Sequence, residues 1–160
     1  MPIIASRSLL LMLVVYLGTL IQCGNDTPPE YRRLFRLQTD QQQLDDLKKY
    51  SLEQQIDIYI YAMQREPPST QFAKFLASNG KKVIPLLLIR LKEEKSEHVK
   101  VDSIRVLVDM HTDHCSLKDE KEVIETIRRV ISGMRDTSYK EWAEAELKVI
   151  LEQPDSRNPC

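Results

Sequence analysis

The chain has 160 residues, with 23 basic and 24 acidic side chains and a formal net charge of −1. This length accommodates one domain once a targeting segment is set aside. Because the two signs of charge are mixed along the chain and no basic stripe occurs, the sequence argues against electrostatic binding to nucleic acid.

The N-terminal segment has the pattern of a targeting signal. One arginine, Arg7, precedes a run without any charged residue from Ser8 to Ile21. This run is shorter than the roughly 20 apolar residues that a membrane span needs. Its length and its basic flank are typical of the apolar region of a secretory signal. We therefore expect residues 1–22 to be a signal peptide.

The end of this run, Leu20-Ile21-Gln22-Cys23, resembles the lipobox of bacterial lipoproteins. The resemblance implies cleavage after Gln22, a diacylglycerol on the Cys23 thiol and an acyl chain on its amine. Two or three acyl chains anchor a protein stably in a membrane. Gly24 after the cysteine implies the outer membrane in preference to the inner one. Plain secretion, into the periplasm or beyond, and an uncleaved N-terminal anchor are the alternatives.

The rest of the chain has the pattern of a helical domain between two polar segments. Residues 23–43 are expected to be a partly flexible tether, and residues 154–160 a polar tail. Between them, over residues 44–153, apolar residues recur at helical spacing and no stretch alternates as a strand would.

Local signals predict where several of the helices begin and end. Ser51 with Gln54 predicts a capping box, Gly80 a helix end and Pro85 the first turn of a helix. The last two helices are predicted to begin at two serines, each with an acidic residue three positions later, at Ser116 and Ser138.

The sequence also contains an internal repeat of about forty residues. Val83-Ile84 aligns with Val123-Ile124, and the charged turns 95–100 and 135–140 align as well. Each unit then reads as a helix, a short turn and a second helix. In the second helices a shift by one residue gives the better apolar match, and it predicts as core residues Trp142, Ala145 and Val149.

The segment VIPLLLIRLKEEKSEHVKVDSIRVLVDM, residues 83–110, resembles a HEAT repeat through its early proline, its leucine stripe and its charged turn. The resemblance implies an all-α fold, a short right-handed solenoid of antiparallel helix pairs, with a compact α-bundle as the alternative. In that family the second helices line a concave side that commonly binds peptides or other proteins. On this side the predicted partner-binding residues are Asp102, Arg105, Asp109, Lys140, Glu144 and Lys148.

One short segment contains the side chains best suited to chemistry. His111, His114 and Cys115 are metal-ligand types, but they lie in one loop and no second ligand pair exists elsewhere. We therefore expect no metal site, no catalytic residue and no cofactor. A small secreted metal-binding protein or enzyme that uses these three residues is the alternative. Cys115 and Cys160 could pair in an oxidising compartment, or both could remain free.

Together these patterns predict a non-enzymatic, membrane-anchored protein-binding or scaffold lipoprotein of the bacterial cell envelope. Its partner is expected to be another protein or peptide on the concave helical face, and its membrane contact the lipid on Cys23. A tethered inhibitor or immunity-type protein would have the same fold and differ only in its partner.

Overall fold

A computed structural model of the chain describes residues 28–37, 39–65 and 68–153. The predicted signal peptide, the lipidation site at Cys23 and the polar tail lie outside these residues. Over the described ranges, no helix combines the length and the apolar composition needed to cross a membrane.

The chain divides into two units, Met1–Arg32 and Arg33–Cys160. In the first unit, a single turn of 3₁₀ helix covers Pro29–Tyr31. The second unit contains every α-helix of the described residues and also takes in part of the predicted tether. Within it Leu34 is fully buried and the first α-helix already begins at Asp40.

The described part of the second unit is helical and contains no strand, which confirms the predicted all-α class. Its α-helices are α1 (Asp40–Leu47), α2 (Leu52–Met63), α3 (Gln71–Ala77), α4 (Ile84–Glu93), α5 (Glu97–Asp113), α6 (Lys121–Ser132) and α7 (Thr137–Glu152). Single 3₁₀ turns at Leu34–Arg36 and Gly80–Lys82 precede α1 and α4.

Local sequence sets several of these boundaries as predicted. The Ser51 side chain accepts a hydrogen bond from the Gln54 N–H, and the Gln54 side chain accepts one from the Ser51 N–H. Gly80 has a φ of 60°, a left-handed conformation that glycine adopts without strain, and it turns the chain between α3 and α4. Pro85 lies in the first turn of α4, where a backbone N–H would have no partner in the helix. All three predicted features are confirmed.

The predicted starts of the last two helices are wrong. The Ser116 hydroxyl accepts a hydrogen bond from the Lys118 N–H and holds a turn, so α6 begins only at Lys121. Helix α7 begins one residue before Ser138, because the Asp136 carboxylate accepts hydrogen bonds from two N–H groups of its first turn. At α6 the predicted cap residue Ser116 forms a turn instead of a helix start, and at α7 Asp136, outside the predicted box, accepts the backbone hydrogen bonds.

Helix α5 lies at the centre of the packing and contacts α2, α3, α4 and α7. Helix α4 also contacts α6, α6 contacts α7, and α2 contacts α3. Fully buried large side chains fill the space between them, namely Tyr59, Phe72, Leu76, Leu87, Ile104, Leu107, Met110 and Ile127. Burial of one such side chain contributes about 1.5–3 kcal/mol to the stability of the fold.

The repeat of forty residues has a structural counterpart. Leu87 and Ile127, which the sequence aligns, are both fully buried in the first helices of their units. Ser96 is the N-cap of α5 and Asp136 the N-cap of α7, so the second helices also begin forty residues apart. The two units are therefore in phase over both helices.

This phase corrects the predicted core of α7. Without any shift, the fully buried Ser103 of α5 corresponds to the fully buried Ala143 of α7. The side chain of Trp142 is 57% exposed, Ala145 is exposed and Val149 is partly buried. The one-residue shift was wrong because each residue advances a helix by about 100°, which turns the inward face away from the core.

Candidate binding groove

A groove of about 660 Å³ lies along one side of α5. We call it the central groove, and it is lined by Asp40, Tyr59, Met63, Thr70, Gln71, Ala73, Lys74, His98, Val101, Asp102, Arg105, Asp109 and Trp142. Its volume lies within the range of about 300–1,000 Å³ that is common for ligand pockets. Apolar and charged side chains both contribute to its walls.

One stripe of α5 forms the charged wall of the groove. His98, Asp102, Arg105 and Asp109 recur every three or four residues, so they lie on one side of the helix. The sequence predicts this stripe to face outward, and Arg105 is indeed exposed. Asp102, however, is only 6% exposed. It is covered because α2 packs on this turn of α5, where the Tyr59 hydroxyl donates a hydrogen bond to the Asp102 carbonyl at 2.9 Å.

One oxygen of the Asp102 carboxylate is buried without a hydrogen-bond donor. Its Oδ2 atom is shielded from solvent and accepts no hydrogen bond from the described residues. The Nε2 atom of His98 lies 3.6 Å from it. Burial raises the pKa of Asp102, an effect that exceeds the opposing ones of His98 and Arg105. Most buried polar groups have a hydrogen-bond partner, so this oxygen is an exception that calls for an explanation.

The basic groups of the groove already have acidic partners. The guanidinium of Arg105 lies 2.6 Å from the Glu146 carboxylate of α7, and the Lys74 ammonium lies 3.8 Å from the Asp113 carboxylate. Burial raises the pKa of Asp109, which makes no ion pair within the described residues. Arg105 and Lys74 therefore have carboxylate partners, whereas Asp109 has no ion pair among the described residues and Asp102 has only the imidazole of His98.

Aromatic rings form the rim of the groove on the side of α7. The ring of Trp142 meets that of Tyr139 edge-on, with centroids 5.9 Å apart. Tyr139 in turn stacks on His98 at 5.6 Å. Among the described residues, Trp142 and Ile89 are the exposed large apolar side chains. The exposed indole therefore lies beside the charged stripe of α5.

The residues predicted on α7 do not line the groove. Within the described residues, Lys140, Glu144 and Lys148 are absent from its walls, and the Lys148 ammonium lies 3.6 Å from Glu152 of the same helix. The sequence interpretation missed Trp142 as a groove residue. The signal that could have found it is the unshifted repeat, which aligns Trp142 with Asp102.

The structure does not bring His111, His114 and Cys115 together as ligands. The buried His111 accepts a hydrogen bond at Nδ1 from the Leu117 N–H at 3.1 Å, whereas His114 is exposed. Cys115 is disulfide-bonded, and its partner lies outside the described residues. No group of three His, Cys, Asp or Glu side chains within the described ranges is arranged to hold a metal ion.

No family model matches the chain, and neither a curated protein nor a solved structure does. The central groove and the N-terminal sequence therefore provide the basis for a functional assignment.

Proposed function

We propose that the chain is a non-enzymatic protein-binding module of the bacterial cell envelope, and that its partner binds in the central groove. The observation that carries this proposal is the indole of Trp142, which is 57% exposed at the rim of a groove of about 660 Å³. Tryptophan is enriched among the residues that dominate binding energy at protein interfaces. Leaving so large an apolar surface in water has a free-energy cost, which a bound partner would remove.

The finer arrangement that we propose is a HEAT-like right-handed solenoid of three helix pairs, α2–α3, α4–α5 and α6–α7. The contacts of α5 with both α3 and α7, and of α4 with α6, support a stack in two layers. Stacked repeats of this kind create extended concave binding surfaces. An experimental structure in which α3 packs away from α5 would contradict this arrangement.

The membrane anchor is the second part of the proposal. Its support is the sequence Leu20-Ile21-Gln22-Cys23, which resembles a lipobox and ends a short apolar run. Lipid on Cys23 would hold the helical unit at a membrane surface through the following tether. The module would then meet its partner in the envelope.

A photo-crosslinking experiment tests whether the groove is the binding surface. Trp142 is replaced by benzoylphenylalanine in the full-length chain, and cells of the native host are irradiated. We expect a covalent adduct of discrete mass, because a group at position 142 would touch the partner. The matched control has the same amino acid at Glu125, an exposed position of α6 outside the groove lining. Adducts of equal yield from both positions would mean that the groove is not the binding surface.

A further inference from the structure

We propose that the central groove recognises a cationic side chain, a lysine or an arginine, which the partner polypeptide presents to Asp102. This inference rests on the protein-binding function proposed above and specifies which type of partner side chain the groove binds.

Asp102 lacks a hydrogen-bond donor at one of its carboxylate oxygens. Its side chain is 8% exposed, it lines the groove, and its Oδ2 atom accepts no hydrogen bond from the described residues. The nearest basic group is the imidazole of His98, with Nε2 3.6 Å from Oδ2. A buried charged oxygen without a hydrogen bond lowers stability, whereas a hydrogen bond to a charged group is among the stronger ones in proteins. His98 lines the same groove and its side chain is 38% exposed. An N–H donor that takes the place of its imidazole beside Oδ2 would supply the missing hydrogen bond and strengthen the binding of the partner.

The charge balance of the groove favours a cation over an anion. An anionic ligand would have to compete with Glu146 for Arg105 and with Asp113 for Lys74. At Asp102 a cation would compete only with the imidazole of His98, which makes no hydrogen bond to Oδ2. The partly buried Asp109 adds negative charge two helical turns further along α5.

The composition of the walls favours an organic cation over a metal ion. A divalent metal ion needs several ligand atoms around one point, and the described residues contain no group of three candidate ligands. The groove offers instead apolar walls from Met63 and Val101 and the exposed face of Trp142. A lysine or arginine side chain can lay its alkyl stem along apolar groups while its charged end finds a carboxylate. The indole adds an attraction for the cation itself.

The test uses the single tryptophan of the chain as its reporter. The full-length chain in detergent micelles is titrated with acetyl-Gly-Lys-Gly-amide and acetyl-Gly-Arg-Gly-amide, and Trp142 fluorescence is recorded. The neutral counterparts contain Nε-acetyl-lysine and citrulline in place of the charged residues. We expect the cationic peptides to bind about tenfold or more tightly than the neutral ones, the difference that a charge-assisted hydrogen bond gives.

Two variants show whether Asp102 is the residue that reads the charge. Asp102→Asn should remove the preference for cationic peptides, whereas Asp119→Asn, at an exposed position outside the groove, should leave it unchanged. The inference is overturned if wild type binds neither peptide, if it binds charged and neutral peptides equally, or if Asp102→Asn keeps the preference. Crosslinking at position 142 would in those cases still support protein binding through another chemistry.

Discussion

Asp102 and Trp142 occupy equivalent positions of α5 and α7, forty residues apart, yet one is buried and the other exposed. The difference follows from what surrounds each helix. Helix α2 packs on α5 at this turn through Tyr59, whereas α7 contacts only α5 and α6 extensively among the described helices. The same position in the repeat therefore provides a shielded carboxylate in one unit and an accessible indole in the next.

At the level of the residue, we predict that Asp102→Asn stabilises the folded chain at pH 7. Burial raises the folded-state pKa of Asp102 above its unfolded value, despite the proximity of His98 and Arg105. At a pH between those two values the folded state binds more protons than the unfolded state, so stability falls as the pH rises. The charge on Asp102 thus costs stability at neutral pH, and the amide removes that cost.

Urea denaturation at pH 4, close to the ordinary pKa of 3.8 for an aspartate, and at pH 7 measures this effect. The variant should have the higher free energy of unfolding at pH 7, and it should lose less stability than wild type between the two values. Asp119→Asn, an exposed carboxylate, is the control and should follow wild type. A lower stability of Asp102→Asn at pH 7 would mean that the charged form has a partner that stabilises it.

At the level of the element, local sequence predicts the start of a helix correctly where only one side chain can accept the hydrogen bond of each free backbone N–H. The reciprocal pair of Ser51 and Gln54 is such a case, and the sequence predicts the start of α2 correctly. The start of α7 offers two candidates, Asp136 and Ser138, and spacing alone does not decide between them. The inward face of α7 was predicted wrongly for a separate reason, because the apolar residues of the two units match better after a shift of one residue, and this match placed Trp142 in the core.

We predict that Asp136→Ala destabilises the fold by about 1 kcal/mol, the usual loss for an N-cap residue. The Asp136 carboxylate accepts hydrogen bonds from the Ser138 and Tyr139 N–H groups, and alanine has no acceptor for them. Ser138→Ala is the matched control and should change stability by less than about 0.5 kcal/mol, as exposed positions usually do. Thermal unfolding of both variants distinguishes the two caps. A larger loss of stability for Ser138→Ala than for Asp136→Ala would mean that Ser138 is the N-cap, as the sequence predicts.

The groove shows the same division between what the sequence predicts and what it does not. The stripe of α5 that contains Asp102, Arg105 and Asp109 follows from helical spacing, and all three residues line the groove. The burial of Asp102 does not follow from spacing, because it depends on the packing of α2 through Tyr59, a residue 43 positions away. Sequence periodicity predicts which residues share a face, whereas packing between distant helices decides how deep each one lies.

At the level of the whole molecule, the proposed lipid anchor and the disulfide both require cysteine, and the chain has three cysteines. Cys115 is disulfide-bonded, so a lipid on Cys23 would leave Cys160 as its partner within the chain. We predict that protein from native envelopes incorporates a fatty-acid probe and has no free thiol after denaturation. Cys23→Ala should lose the probe and still have no free thiol, whereas Cys160→Ala should keep the probe and expose one. One free thiol and no fatty-acid probe in wild type would instead mean that Cys23 pairs with Cys115, and it would refute lipidation.

Helix α5 contacts both α3 and α7. The distance between neighbouring helices therefore sets a regular spacing along the groove. Packed helices lie about 8–10 Å apart, and an extended polypeptide advances about 3.3 Å per residue. An extended partner that crosses these helices would therefore place every third side chain over the next helix. If the partner places a cationic residue at Asp102, then the partner residue three positions before or after it would lie beside Trp142. The surface would in this way measure the spacing of residues in its partner as well as their charge.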